Sequence, residues 1–184
     1  LNEYFGFTQA EVDQLLQDTG LTDHAEDIKA WYDGYHFGEF DIYCPWDVMN
    51  YLQDLQFDPL KKPVSYWKNT SDNAIIRSFI DYSGPSISKK LELLLSGGYI
   101  VQTIEEDLTY DYLHSSEDNL WSILYLTGYL TRGREIPASD GALALTIPNA
   151  EVQEIFRSTI QKWFKDSSQT WHRQAMFLAL WAGN

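Results

Sequence analysis

Leu120-Trp121-Ser122-Ile123-Leu124-Tyr125-Leu126 is apolar on nearly every side, and the chain after it changes period twice. From about Glu117 to Thr127 this reads as a buried helix, because a surface helix keeps one polar face. Thr131 to Glu135 and Ala142 to Ile147 then read as two strands, joined by a turn around Ser139-Asp140-Gly141. Asn149 stands where it would cap the strongest helical pattern in the chain. In that pattern Val152, Ile155, Phe156, Ile160, Trp163 and Phe164 recur at three- and four-residue spacing. Helix, hairpin and helix in this order predict a winged-helix-like element packed on a helical bundle, in a mostly α chain with a small β component.

Working back from that stretch, Thr8 and Glu11 form a capping box ahead of Val12, Leu15 and Leu16, and Gly20 is a natural helix stop. Thr22 is expected to cap a second helix with Ala25, Ile28, Trp31 and Tyr32 inward, stopped by Asp33-Gly34. Gly34 to Gly38 reads as turn-rich, and Pro45 opens a third helix through Val48, Met49, Leu52 and Leu55. A fourth helix follows Thr70-Ser71 with Ile75, Ile76, Phe79 and Ile80 on one side. A fifth carries Leu91, Leu94 and Leu95 and closes at Gly97-Gly98, before a short β-like run from Tyr99 to Ile104. A last helix includes Trp171, Phe177 and Leu178. The expected division is a helical subdomain over 1–98, a winged-helix-like subdomain over 99–166, and the start of a linker helix over 167–184.

The 184 residues are 44% hydrophobic and 15% aromatic, enough to bury a sizeable core. No apolar run approaches a membrane span, and the first residues do not read as a signal peptide. Both ends read as cuts within a longer protein. The single Cys44 excludes an internal disulfide framework and fits a cytoplasmic setting. The net charge of −14 is concentrated in residues 1–131, which hold 22 acids against 7 bases. A field of that sign repels phosphate backbones and anionic lipid, so neither nucleic acid nor membrane is the expected partner.

Chemistry is tested by pattern. A phosphate cradle needs G-x-x-x-x-G-K-[ST] or G-x-G-x-x-G, and none of the 11 glycines sits in either. The one D-x-K match, Asp27-Ile28-Lys29, lies inside a helix, where its two charged groups point apart instead of converging on a metal. Ser86-x-x-Lys89 and Ser71-Asp72-Asn73 occur in reversed order and without the K-T-G that would complete a β-lactamase set. His24, His36, His114 and His172 lack zinc-ligand spacing, and Cys44 reads as a small buried hydrophobe. The helix before the hairpin offers only Asn119 for base contacts and no basic side chain, so it is not built for direct DNA reading. No catalytic residue, metal ligand or cofactor is expected in this chain.

Seven stretches carry a likeness to a known family: Trp31-Tyr32-Asp33-Gly34-Tyr35, Tyr43-Cys44-Pro45-Trp46, Tyr66-Trp67-Lys68-Asn69-Thr70-Ser71, Leu108-Thr109-Tyr110-Asp111, Asp118-Asn119-Leu120-Trp121-Ser122, Thr127-Gly128-Tyr129-Leu130-Thr131 and Ile147-Pro148-Asn149. In this order they resemble the AAA-ATPase-like bacterial proteins that carry a C-terminal PD-(D/E)XK nuclease-like domain. The resemblance implies that the chain is the segment between an upstream P-loop domain, which would hold ATP and Mg, and a downstream nuclease-like domain. It departs from the family at Cys44, where Asn is usual, and at Asn184, where Asp is usual. Two roles are expected. The first is a non-catalytic lid or interdomain adaptor whose partners are those two domains, with Arg77 as a candidate trans contact to nucleotide phosphate. The alternative is a protein- or peptide-binding module whose aromatic patch comprises Tyr35, His36, Phe37 and Trp46. Burial of those rings is the observation that separates core from anchor.

Overall fold

The computed structural model describes residues 5–37, 40–67, 76, 85–105, 108, 116–133 and 141–166, with the side chains of 37 and 163–166 left aside. Among them the chain is mostly helical with a small strand component, as expected from the sequence.

The helices begin where sequence chemistry satisfies their free amides. The α1 helix, Gln9–Thr19, is capped by Thr8. Its hydroxyl accepts from the Glu11 N–H at 3.3 Å, while the Glu11 carboxylate accepts from the Thr8 N–H at 2.8 Å. Those bonds hold the Glu11 carboxyl below its usual range. Gly20 ends α1 at φ 70°, the left-handed conformation that favours glycine. Thr22 makes no side-chain cap. The chain turns through a 3-10 segment, Thr22–His24, before α2, Ala25–Tyr32. The stretch read as a turn is a small hairpin, β1 Tyr35–Phe37 paired antiparallel with β2 Phe40–Ile42. Its strands are three residues each, too short for alternation to register as a pattern. Pro45 is the first residue of α3, Pro45–Phe57.

These elements close a first core around Val12 and Leu16 of α1, Ile28 and Tyr32 of α2, Tyr43, and Val48, Tyr51, Leu52 and Leu55 of α3. Each fully buried side chain of this size contributes roughly 1.5–3 kcal/mol. The tyrosine hydroxyls find partners. Tyr32 donates to the Val64 carbonyl at 2.9 Å and Tyr51 to the Lys61 carbonyl at 2.9 Å, pinning the segment after α3.

The second core gathers Ile76, then Ile87, Leu91 and Leu94 of α4 (Pro85–Leu95), Ile100 of β3 (Ile100–Thr103) and Leu120, Trp121, Ile123 and Leu124 of α5 (Glu117–Leu126). Tyr129 and Leu130 after α5, Leu145 of β5 (Ala142–Thr146) and Val152, Ile155, Phe156 and Ile160 of α6 (Ala150–Asp166) complete it. The α4 helix, grouped by the sequence division with residues 1–98, therefore buries its apolar face in the second core. β5 lies between β3 and the two-residue β4, Thr131–Arg132, antiparallel to both. The β-like run after Gly98 thus joins the hairpin as a third strand. Lys90 of α4 locks this unit. Its ammonium donates to Glu117 at 2.7 Å and to Gln102 at 2.8 Å, and Gln102 donates on to Asp118 at 2.9 Å. Ser139 and Asp140 of the expected turn, most of the fourth expected helix and the Trp171 helix lie outside the described residues. Among the described residues no helix is long and apolar enough to cross a membrane.

Gly34 ties the two units together. At φ 101° it lies against Pro148, and a Cβ there would fall on the Pro148 carbonyl. Gly34→Ala should therefore cost about 2 kcal/mol or more in chemical denaturation, combining left-handed strain with steric overlap. An unchanged midpoint would contradict this close approach.

Candidate functional site

The α3 helix is apolar on two faces. Val48, Tyr51 and Leu55 enter the first core, while Trp46, Met49, Gln53 and Phe57 recur at three- and four-residue spacing on the other side. Trp46 is 57% exposed, Met49 49% and Phe57 83%. Beside this stripe runs a groove of about 580 Å³ between α1 and α3, lined by Leu15, Thr19, Trp46, Met49, Asn50, Leu52, Gln53 and Gln56. Its lining is largely apolar and carries no formal charge. Neither α1 nor α3 contains Lys or Arg, whereas α1 exposes Glu11, Asp13 and Asp18 along its flank. Hydrogen bonds from Gln9 to Asp13 and from Gln14 to Asp18, both 2.8 Å, orient these carboxylates without neutralising them.

Of the four residues expected to form an aromatic patch, Tyr35 and His36 lie on β1 and Trp46 on α3. Tyr35 packs against the second core, and burial drives its hydroxyl pKa well above the usual value. His36 is half-buried. Its Nδ1 lies 3.0 Å from Asp41 Oδ1 and its backbone N–H donates to the Thr131 hydroxyl at 3.1 Å. The Phe37 side chain and Arg77 lie outside the described residues. Trp46 lines the groove and is exposed. The neighbours sequence reading missed are Met49, Gln53 and Leu15. The available signal was that α3 carries more apolar residues than one buried stripe requires.

The inner side of α3 meets the second unit at a polar seam. The Asn149 side chain caps α6 by accepting from the Val152 N–H at 3.0 Å, and donates to the Asp33 carbonyl at 2.9 Å. Glu151, in the first turn of α6, accepts from the Trp67 N–H at 2.8 Å. Trp67 in turn stacks on Tyr129, with ring centroids 4.9 Å apart. Asp47 and Glu151 are each 1% exposed. The two carboxyls lie within interaction range of each other, and the Cys44 thiol within range of Asp47. Burial, followed by the adjacent Asp47 charge, pushes Glu151 up to about 8. Burial also raises Asp47, and it raises Cys44 to about 12, which disfavours the thiolate at neutral pH. Sequence held no sign of this pair. An acid in the first turn of a helix is ordinary capping chemistry.

Asp27 and Lys29 lie on α2, and Asp27 faces Lys62 at 3.8 Å, a surface contact. No cluster of three metal-ligating side chains occurs among the described residues. Comparison with family models, with curated proteins and with solved structures finds no match to this chain. Because Trp46 and Met49 leave about half of their surface in solvent, replacing them with Ala should cost no more than about 1.5 kcal/mol each, half of what a fully buried side chain of this size contributes. A larger loss in urea titration would make the stripe part of the core.

Proposed function

We propose that this chain is a non-catalytic, cytoplasmic protein-binding module that receives an apolar helix with basic flanks in the groove between α1 and α3. The observation that carries the reading is the exposed stripe of Trp46, Met49 and Phe57 on a helix whose opposite face already fills a core. Stability does not require a second apolar face, and large exposed anchors beside a shallow groove suit the helix-in-groove mode of recognition. Charge selects the occupant. The flanking helices are acidic without a single base, so basic residues beside an apolar seam complement them and acidic ones are repelled.

The interdomain adaptor reading is compatible with this module. Its support is the resemblance of seven sequence stretches, several of which meet at the seam: Asp33 and Gly34 touch 148–149, and Trp67 reaches Glu151. On that reading the groove's occupant would be a segment of a neighbouring domain of the same parent.

A labelled synthetic helix with Leu at i, i+3, i+4 and i+7 and Lys elsewhere tests the proposal by fluorescence anisotropy. The Trp46→Ala, Met49→Ala double variant keeps every charge, so non-specific attraction remains. Binding should weaken about tenfold or more in that variant, ~1.4 kcal/mol or above, and a Glu-substituted peptide should not bind. Equal affinity for both proteins would overturn the groove as the site.

A further inference from the structure

We propose that the Asp47–Glu151 carboxyl pair is a proton-loaded latch between the two cores: one shared proton holds α3 against α6, and its loss loosens the seam. The inference does not depend on what the groove binds.

Geometry carries it. Both side chains are sealed from solvent, and they come from different units, Asp47 from α3 of the first and Glu151 from α6 of the second. Among the described residues, the groups within electrostatic reach of the pair are Cys44 at the start of α3, Tyr32 of α2, Tyr35 of β1, and Ser65 and Tyr66 of the segment after α3. None of these is basic, so nothing in that ring offsets two negative charges. One Glu151 oxygen is held by the Trp67 N–H. Asp47 Oδ1 has no hydrogen-bond partner among the described residues. A single proton between the carboxyls converts repulsion into a hydrogen bond. Without it, two buried carboxylates in contact are relieved only by water entering the seam, and Asp47 Oδ1 is the atom that water would first satisfy.

The direction with pH follows from linkage. Glu151 titrates near 4.5 when unfolded and near 8 when folded, so the folded state binds more protons between those values. Stability from the pair is complete below about pH 4.5 and is lost as pH rises through about 8.

Glu151→Gln is the informative variant. Its amide oxygen still accepts from the Trp67 N–H, its NH₂ donates to Asp47, and no proton is required. The infrared spectrum of the whole chain at neutral pH should show a protonated-carboxyl C=O stretch that is missing in Glu151→Gln. Hydrogen exchange of the Trp67 amide, corrected for its intrinsic rate, should accelerate tenfold or more between pH 6 and 9 in the native chain and stay level in the variant. The native melting temperature should fall relative to the variant's over the same range. If Glu151→Gln fails to fold, Asp47→Asn replaces it with the same expectations. An infrared band absent from the native chain, or Trp67 protection falling in parallel in both proteins, would overturn the latch.

Discussion

Two hydrophobic cores in this protein are joined across a seam built from hydrogen bonds, and that seam constrains the structure more than either core does. Asn149 fastens the start of α6 to the end of α2, Glu151 fastens it to the Trp67 backbone, and Gly34 lets its segment approach Pro148 closely. A seam of this kind is directional. Apolar faces slide with small changes in energy, whereas a displaced buried hydrogen bond leaves a donor and an acceptor unpaired. The relative placement of α2 and α6 is therefore tied to a few polar atoms.

The α3 helix carries the consequences. Its inner face supplies core residues, its flank supplies Asp47 to the seam, and its outer face presents Trp46 and Met49. Three environments on one thirteen-residue helix mean that a change at the seam and a change at the groove act on the same rigid body. The buried acids are costly as charges, and with no base among the described residues around them, protonation is the compensating chemistry.

Elements with a local physical cause were readable in advance. The capping box at Thr8, the stop at Gly20, Pro45 at the head of α3 and the Asn149 cap all depend on residues within four positions of one another, and all stand where expected. The β1–β2 hairpin was not readable, because three-residue strands carry too little alternation. Nor was the allegiance of α4. Its stripe of Ile87, Leu91 and Leu94 announces that one face is buried without saying against which core. The surroundings of the expected patch residues also had to wait for the fold. Tyr35, His36 and Trp46 are close in sequence, but a strand and a helix aim them in different directions.

By itself the amino-acid sequence determined the helical character, the termini of most helices and the lack of a recognisable phosphate-binding loop, since each depends on short-range spacing and backbone satisfaction. Only the tertiary structure decided which apolar face of α3 stays in solvent and that Asp47 meets Glu151, more than a hundred residues away in the chain. Solvent exclusion is a property of packed surfaces. A carboxyl group becomes a shared-proton site only when folding removes water from around it and places a second acid against it.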